Sequence, residues 1–378
     1  MKRIGFLGAY SIDNTGDQLL GYAVRRAFRA RVPNAEHVVF APELRGNFWR
    51  HAWDAPRGID APITRIPADD GVRWAKGLDA LVIGGGGILR LEPDFRPFVL
   101  GDPSRWNPKT PAAWNALGAE ATPAYLADRK DDYARVARCC EKLAYVSVRN
   151  ALTARFVRRC GFSGEIHVVP DPTLLLDLPE DDFAEHTLRE ARVDTSAFVV
   201  GVSIGTSLRD GRASFFYNEL FTTLAKLVSK RAIEVVFLPF GEIYGDSELQ
   251  RKALAAVPGA KIVGDLGALD RWRVVGAFDL YVCTRWHAML AAFAQNVPFL
   301  VIDEYFSDAT ASSKIREFIA DNDLEELYLS PFVSMRPAAK LDDALSIVGG
   351  DFSFEARRAS MRAALAKHYD AMIRALAL

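Results

Sequence analysis

Two polar residues two apart, Arg285 and His287, stand in the stretch Cys283-Thr284-Arg285-Trp286-His287-Ala288. An apolar run at 280–282 precedes them and an apolar, helix-like stretch at 288–294 follows. Arg and His on such a strand-to-helix turn can face one pocket, and His is the side chain best able to exchange a proton near neutral pH. A helix-start His bonded only to its own turn is the plainer alternative. Only six histidines occur in the chain, and His37, His51, His167, His186 and His368 show no paired ligand spacing, so no metal site is expected.

Three further stretches sit at expected strand ends, where α/β sheets bind ligands. Asn14-Thr15-Gly16-Asp17 follows the first apolar run and opens the first helix. Backbone N–H groups at a helix start suit an anion, although Asn14 or Thr15 as cap and Asp17 in the first turn would give the same pattern. Gly84-Gly85-Gly86-Gly87 closes another apolar run, and chain this rich in glycine can approach a ligand closely. Ser147-Val148-Arg149-Asn150 places an arginine at a third strand end, where its fork can take a carboxylate or phosphate through two hydrogen bonds or pair with a local carboxylate. Lys314 opens a later helix and is well placed for an anion.

Other chemistries lack their patterns. The chain has no GxGxxG or P-loop motif, and no carboxylate pair singled out by spacing. With 47 Lys and Arg against 48 Asp and Glu, no basic field favours nucleic acid. The four cysteines, Cys139, Cys140, Cys160 and Cys283, form no CxxC pair and read as free thiols of a reducing cytoplasm. The apolar run at the N-terminus is too short for a signal peptide and reads as a strand. No apolar stretch is long enough to span a membrane.

The elements that must position these residues alternate in type. Strands are expected at 4–8, 37–40, 80–83, 144–148 and 166–169, then at 198–203, 234–238, 281–283 and 299–302. Helices are expected at 17–30, 153–160, 217–229, 247–256, 287–295 and 314–321. Continuous apolar strands between helices predict parallel sheets covered on both faces. The expected fold is α/β: two doubly wound Rossmann-like domains facing across a cleft, the GT-B type. The first domain spans 1–175, the second 195–350, and a helix at 351–378 can cross back to the first. The acidic stretch between the domains reads as linker. Residues 95–128 show no clean period and read as an insertion or active-site loop, in which Trp106 and Trp114, like Trp49 and Trp53 before it, can stack on a sugar or serve as apolar cover.

Taken in order, Asn14-x-Gly16-Asp17, the glycine run, Ser147-x-Arg149, Asp171-Pro172-Thr173 and Arg285-x-His287-Ala288 resemble the polysaccharide pyruvyl transferase family over roughly residues 4–320. The resemblance implies transfer of a pyruvyl group from phosphoenolpyruvate to two hydroxyls of a sugar, giving a cyclic ketal and phosphate. It implies His287 as acid/base catalyst and Arg285 and Arg149 as grips for the donor's phosphate and carboxylate. Lys314, Asn14, Asp17, Gly85 and Gly86 complete the expected substrate-binding set, with the acceptor on the first domain and the donor on the second. No cofactor is expected beyond phosphoenolpyruvate as donor substrate. The expected acceptor is a sugar or a lipid- or nucleotide-linked glycan, with no nucleic-acid partner. The expected location is the cytoplasm, with peripheral contact at the inner membrane left open. A GT-B glycosyltransferase using a nucleotide-sugar donor, or a non-catalytic glycan-binding protein, would share the fold.

Overall fold

A computed structural model describes residues 1–10, 12–42, 63–66, 77–84, 86–87, 89, 109–119, 130–178, 181–205, 214–230, 233–242, 245–304, 313–331, 336–348 and 352–378. They form two compact units, the first built from 1–13, 17–176 and 360–378 and the second from 14–16 and 177–359.

Unit 1 is a parallel sheet of seven strands: β1 (Arg3–Leu7), β2 (Glu36–Pro42), β3 (Ile63–Ile66), β4 (Ala80–Gly84), β5 (Ala112–Leu117), β6 (Tyr145–Val148) and β7 (His167–Val168), in the order β3-β2-β1-β4-β5-β6-β7. Every β4 position is buried, so the strand shows no alternation. Helix α1 (Thr15–Arg29) buries Leu19, Leu20, Ala23, Val24, Ala27 and Phe28 on one face. Helices α2 (Lys130–Cys140) and α3 (Ala151–Arg159) flank β6 in sequence. The chain runs outward from β1 to β3 and then returns to lay β4 against the other side of β1. That reversal makes the carboxyl ends of β1 and β4 the sheet's switch point.

The structure corrects one expectation here. Residues 112–117, inside the stretch read as an insertion or active-site loop, form β5, a strand flanked on both sides and buried at all six positions. Trp114 is core, with no exposure. The strand was hidden because its alanines, Trp114 and Asn115 give neither an apolar run nor a period. Of the rest of 95–128, only 109–111 and 118–119 are described. Trp49, Trp53 and Trp106 lie outside the described residues, as does Gly85.

Unit 2 is a parallel sheet of six strands: β8 (Phe198–Ser203), β9 (Ile233–Phe237), β10 (Lys261–Ile262), β11 (Leu280–Cys283), β12 (Phe299–Ile302) and β13 (Tyr328–Leu329), in the order β10-β9-β8-β11-β12-β13. Its helices are α4 (Phe183–Glu190), α5 (Ser214–Lys230), α6 (Asp246–Leu254), α7 (Ala268–Val275), α8 (Trp286–Ala294), α9 (Lys314–Asp321) and α10 (Pro337–Val348). Strands β8, β9 and β11 share one core with α5, where Val202, Tyr217, Leu220, Phe237 and Val282 pack. Helix α8 is buried at all nine positions, so it is apolar all round rather than striped. Here the reversal falls between β8 and β11. The stretch expected as linker carries α4, which belongs to unit 2, where the Arg273 guanidinium lies 4.0 Å over the Phe183 ring.

Helix α11 (Glu355–Ala375) belongs to both units in turn. Phe354, just before it, is buried against Phe293 and Phe299, and its N–H donates to Asn296 Oδ1 at 2.7 Å. From Ser360 onward the chain is part of unit 1. There Tyr369 packs on Phe28, and Arg31 Nε donates to Asp370 Oδ1 at 2.7 Å. Among the described residues no helix is long and apolar enough to cross a membrane.

Candidate functional site

In unit 2 the polar residues gather past the carboxyl ends of β8, β9, β11 and β12. Thr284, directly after β11, accepts from the Gly205 N–H at 2.7 Å and so joins the β8 and β11 ends. Arg285 takes the N-cap position of α8 in extended backbone, but its side chain makes no capping bond. Instead Nε donates to Asp246 Oδ2 at 2.7 Å and Nη2 donates to Oδ1. Asp246 is the first residue of α6 and has no exposure. Burial pushes its carboxyl up, opposed first by the Arg285 charge and its hydrogen bonds and then by the Arg271 charge.

His287 is the second residue of α8 and is 7 % exposed. Against it lies the Asn14–Gly16 segment, which groups with unit 2 although the rest of α1 does not. Thr15 N–H donates to the Phe240 carbonyl at 3.2 Å, Asn14 bridges to Gly241, and Arg271 Nη1 donates to Thr15 Oγ1 at 3.4 Å. A Cβ on Gly16 would fall 1.8 Å from His287 Nδ1, so only glycine lets the chain pass this close to the imidazole. Asn14 Oδ1 accepts from the Gly16 N–H at 3.1 Å, which is the capping arrangement its residue type allows.

Lys314 is buried at the start of α9, beside the N-cap Ser313, whose Oγ accepts from Arg316 N–H at 3.0 Å. Ser313 also donates to Asp303 Oδ2, and that oxygen accepts from Tyr328 Oη at 3.0 Å. Asp303 follows β12, the neighbour of β11, so Lys314 belongs to the same sheet edge as Arg285 one strand further out.

Unit 1 holds the other expected residues. Asp17 faces the glycine run: a Cβ on Gly86, whose φ is +72°, would fall 2.0 Å from Asp17 Oδ1. Asn14 and Asp17, three apart in one motif, thus serve different units. Arg149, 6 % exposed, directly follows β6, and its Nη1 lies 3.5 Å from Asp171 Oδ2. The other Asp171 oxygen accepts from Thr173 N–H at 3.0 Å and Thr173 Oγ1 at 2.7 Å. The Ser147-x-Arg149 and Asp171-Pro172-Thr173 stretches are therefore one buried ion pair, of the kind that requires compensation of both charges. Sequence reading did not find Asp246 or Arg271, because nothing in the chain marks residues 39 and 14 positions before Arg285 as its neighbours. Among the described residues, no group of three His, Cys, Asp or Glu gathers that could hold a metal ion.

The family described as polysaccharide pyruvyl transferase matches this chain over residues 14–304. The chain belongs to that family. As a polysaccharide pyruvyl transferase family member it is an enzyme, a transferase that acts on glycans. The match takes in Asn14, Asp17, Gly86, Arg149, Arg285 and His287, while Lys314 lies beyond it. A comparison with curated proteins finds no match.

Solved structures share the family member's fold at low identity. UDP-GlcNAc 2-epimerase from Methanocaldococcus jannaschii is 12 % identical with a TM-score of 0.59, covering 93 % of this chain and 94 % of its own. Sucrose-phosphate synthase from Thermosynechococcus elongatus is 13 % identical with a TM-score of 0.59, covering 100 % and 99 %. A glycosyltransferase from Rickettsia africae is 12 % identical with a TM-score of 0.58, covering 99 % and 96 %. These likenesses establish the α/β class of two Rossmann-like units, GT-B-like as expected, and nothing of the chemistry.

Proposed function

We propose that this enzyme transfers a pyruvyl group from phosphoenolpyruvate to two hydroxyls of one sugar in a glycan or glycan precursor, releasing phosphate and leaving a cyclic ketal. The observation that carries the reading is the buried pair of Arg285 and His287, set at the switch point of the unit 2 sheet within a chain of this family. Cleavage and synthesis of ketals at this oxidation level need proton transfer rather than electron transfer, and a buried histidine at a strand-to-helix turn suits that work.

The proposed steps balance. A proton adds to the methylene carbon of phosphoenolpyruvate and makes an oxocarbenium-like centre at C2. One sugar hydroxyl attacks and gives up its proton. The C2–O bond to phosphate then breaks, and the second hydroxyl attacks and gives up its own proton. One of the two released protons replaces that placed on the methyl group, and the other leaves with phosphate. His287 is the proposed acid and base in this exchange. Within unit 2, Arg285 and Lys314 are the proposed partners of the donor's phosphate and carboxylate, where cations act strongly because water is scarce. Asp17 and Gly86 are proposed to shape an acceptor site on unit 1, and Asn14 is proposed to shape the donor site on unit 2. The reading asks for no metal or organic cofactor.

The test incubates the purified protein with phosphoenolpyruvate and a panel of glycan acceptors, following phosphate release and pyruvylated product by mass spectrometry. Turnover in the native enzyme should fall about 10²–10⁴-fold in His287→Ala. Unchanged turnover in that variant removes the role of His287. Transfer of a sugar from a nucleotide-sugar donor, with no pyruvylated product, replaces the reaction itself.

A further inference from the structure

We infer that Asp246 is a positioning residue of this site: it fixes the Arg285 guanidinium and, through its neighbour Arg271, ties that cation to the Thr15–Gly16 turn packed on His287. The inference rests on the proposed role of Arg285 as an anion partner, and it goes beyond that role by naming what aims the cation.

Four observations carry it. Arg285 spends two donors, Nε and Nη2, on the two oxygens of one carboxylate, a planar match that fixes the guanidinium in both direction and tilt. Asp246 has no exposure, so its charge has been taken out of water at a cost that a merely structural helix start would avoid. The place is nevertheless one that tolerates an acid, since Asp246 is the first residue of α6 and meets the positive end of that helix. Arg271, also buried, lies near enough for its charge to act on the same carboxylate, and its Nη1 reaches Thr15 Oγ1 at 3.4 Å. Thr15 is followed by Gly16, which touches the imidazole. One carboxylate thus sets the register between the proposed anion partner and the proposed proton carrier.

Neutralising Asp246 has two opposite possible effects, and they separate positioning from simple charge balance. If Asp246 only offsets the Arg285 charge, its removal exposes a stronger cation and tightens anion binding. If it aims Arg285, removal frees a long side chain to sample other rotamers and weakens binding.

The experiment measures inorganic phosphate binding by calorimetry in the native protein, Asp246→Asn, Arg285→Gln and the double variant, with phosphoenolpyruvate turnover measured alongside. Asp246→Asn should weaken phosphate binding about tenfold in the native background and leave it unchanged in the Arg285→Gln background. Equal weakening in both backgrounds, tighter binding, or no phosphate binding by the native protein overturns the assignment. Phosphate binding that obeys this pattern without phosphoenolpyruvate turnover keeps the positioning role and removes the donor reading. Should Asp246→Asn lose its cooperative melt, Asp246→Glu keeps the charge but moves it by one methylene. That variant should show a smaller loss in the same direction, and native affinity in it overturns the assignment.

Discussion

Gly16 is defined by a neighbour 271 positions away in sequence, since the place of its absent side chain is filled by the His287 ring. Gly16→Ala should therefore act through the histidine. Either the imidazole turns away or the Asn14–Gly16 segment lifts from Phe240, and turnover should fall at least as far as an acid/base loss of about a hundredfold. The stability cost of an added methyl in a packed place is expected at about 1–3 kcal/mol, so the variant should still melt cooperatively. Steady-state kinetics beside thermal melting separates the two effects, and native turnover in a folded Gly16→Ala would remove the contact from the mechanism. Residue types marked where part of the candidate site lies. The Arg-x-His pair was legible because such side chains on a strand-to-helix turn are few and conspicuous. Asp246 was not legible, because an aspartate at a helix start has an ordinary capping use and only folding brings it to Arg285.

At the scale of elements, caps fix where the functional side chains emerge. Asn150 directly follows Arg149 and caps α3, its Oδ1 accepting from Thr153 N–H at 2.9 Å and Thr153 Oγ1 at 2.6 Å. Asn150→Ala should cost about 1 kcal/mol of unit 1 stability by denaturant unfolding, the usual worth of a side-chain N-cap. No change in midpoint would show that the α3 start is held by packing alone. The same logic explains which elements could be read in advance. Strands β1, β4, β8, β11 and β12 are continuous apolar runs, so composition alone revealed them. Strand β5 failed that test because Asn115 stands in its middle, and a buried amide in a strand makes sense only with its partners. Those partners are Tyr369 Oη, accepting at 3.3 Å from Asn115 Nδ2, and His368 Nε2, 2.9 Å from Asn115 Oδ1, both more than 250 positions away. The short strands β7, β10 and β13 have two residues each and carry no readable pattern.

At the scale of the whole molecule, His368 gives unit 1 a pH dependence of its own. The ring lies between Tyr145 Oη, 3.2 Å from Nδ1, and Asn115, and burial lowers its pKa to about 3, with His167 and Arg31 adding to the effect. The folded state therefore keeps His368 neutral while the unfolded chain protonates it below about 6.5. The unfolded state binds more protons between those values, so this contribution to stability is complete above about 6.5 and is lost as pH falls toward 3, by about 1.4 kcal/mol per pH unit. His368→Gln lowers stability at neutral pH by removing packed contacts, yet it should flatten the acid slope, cutting the loss between pH 7 and 5 by about 2 kcal/mol. Parallel pH profiles for the two proteins would show that the ring is not the titrating group.

The sequence by itself determined the class of the molecule. Apolar runs alternating with helical stretches required parallel sheets covered on both faces, and the ordered set of polar stretches at strand ends named the family. Those signals are local, and each survives being read a few residues at a time. The tertiary structure alone decided which residues meet. It sent Asn14 to unit 2 and Asp17 to unit 1, joined Arg149 to Asp171, gave Arg285 a carboxylate, and drew residues 360–378 back onto the first sheet. The reason is physical. A buried charge or amide is stable only with a specific partner, and where that partner lies is set by the course of the whole chain rather than by its neighbours in sequence.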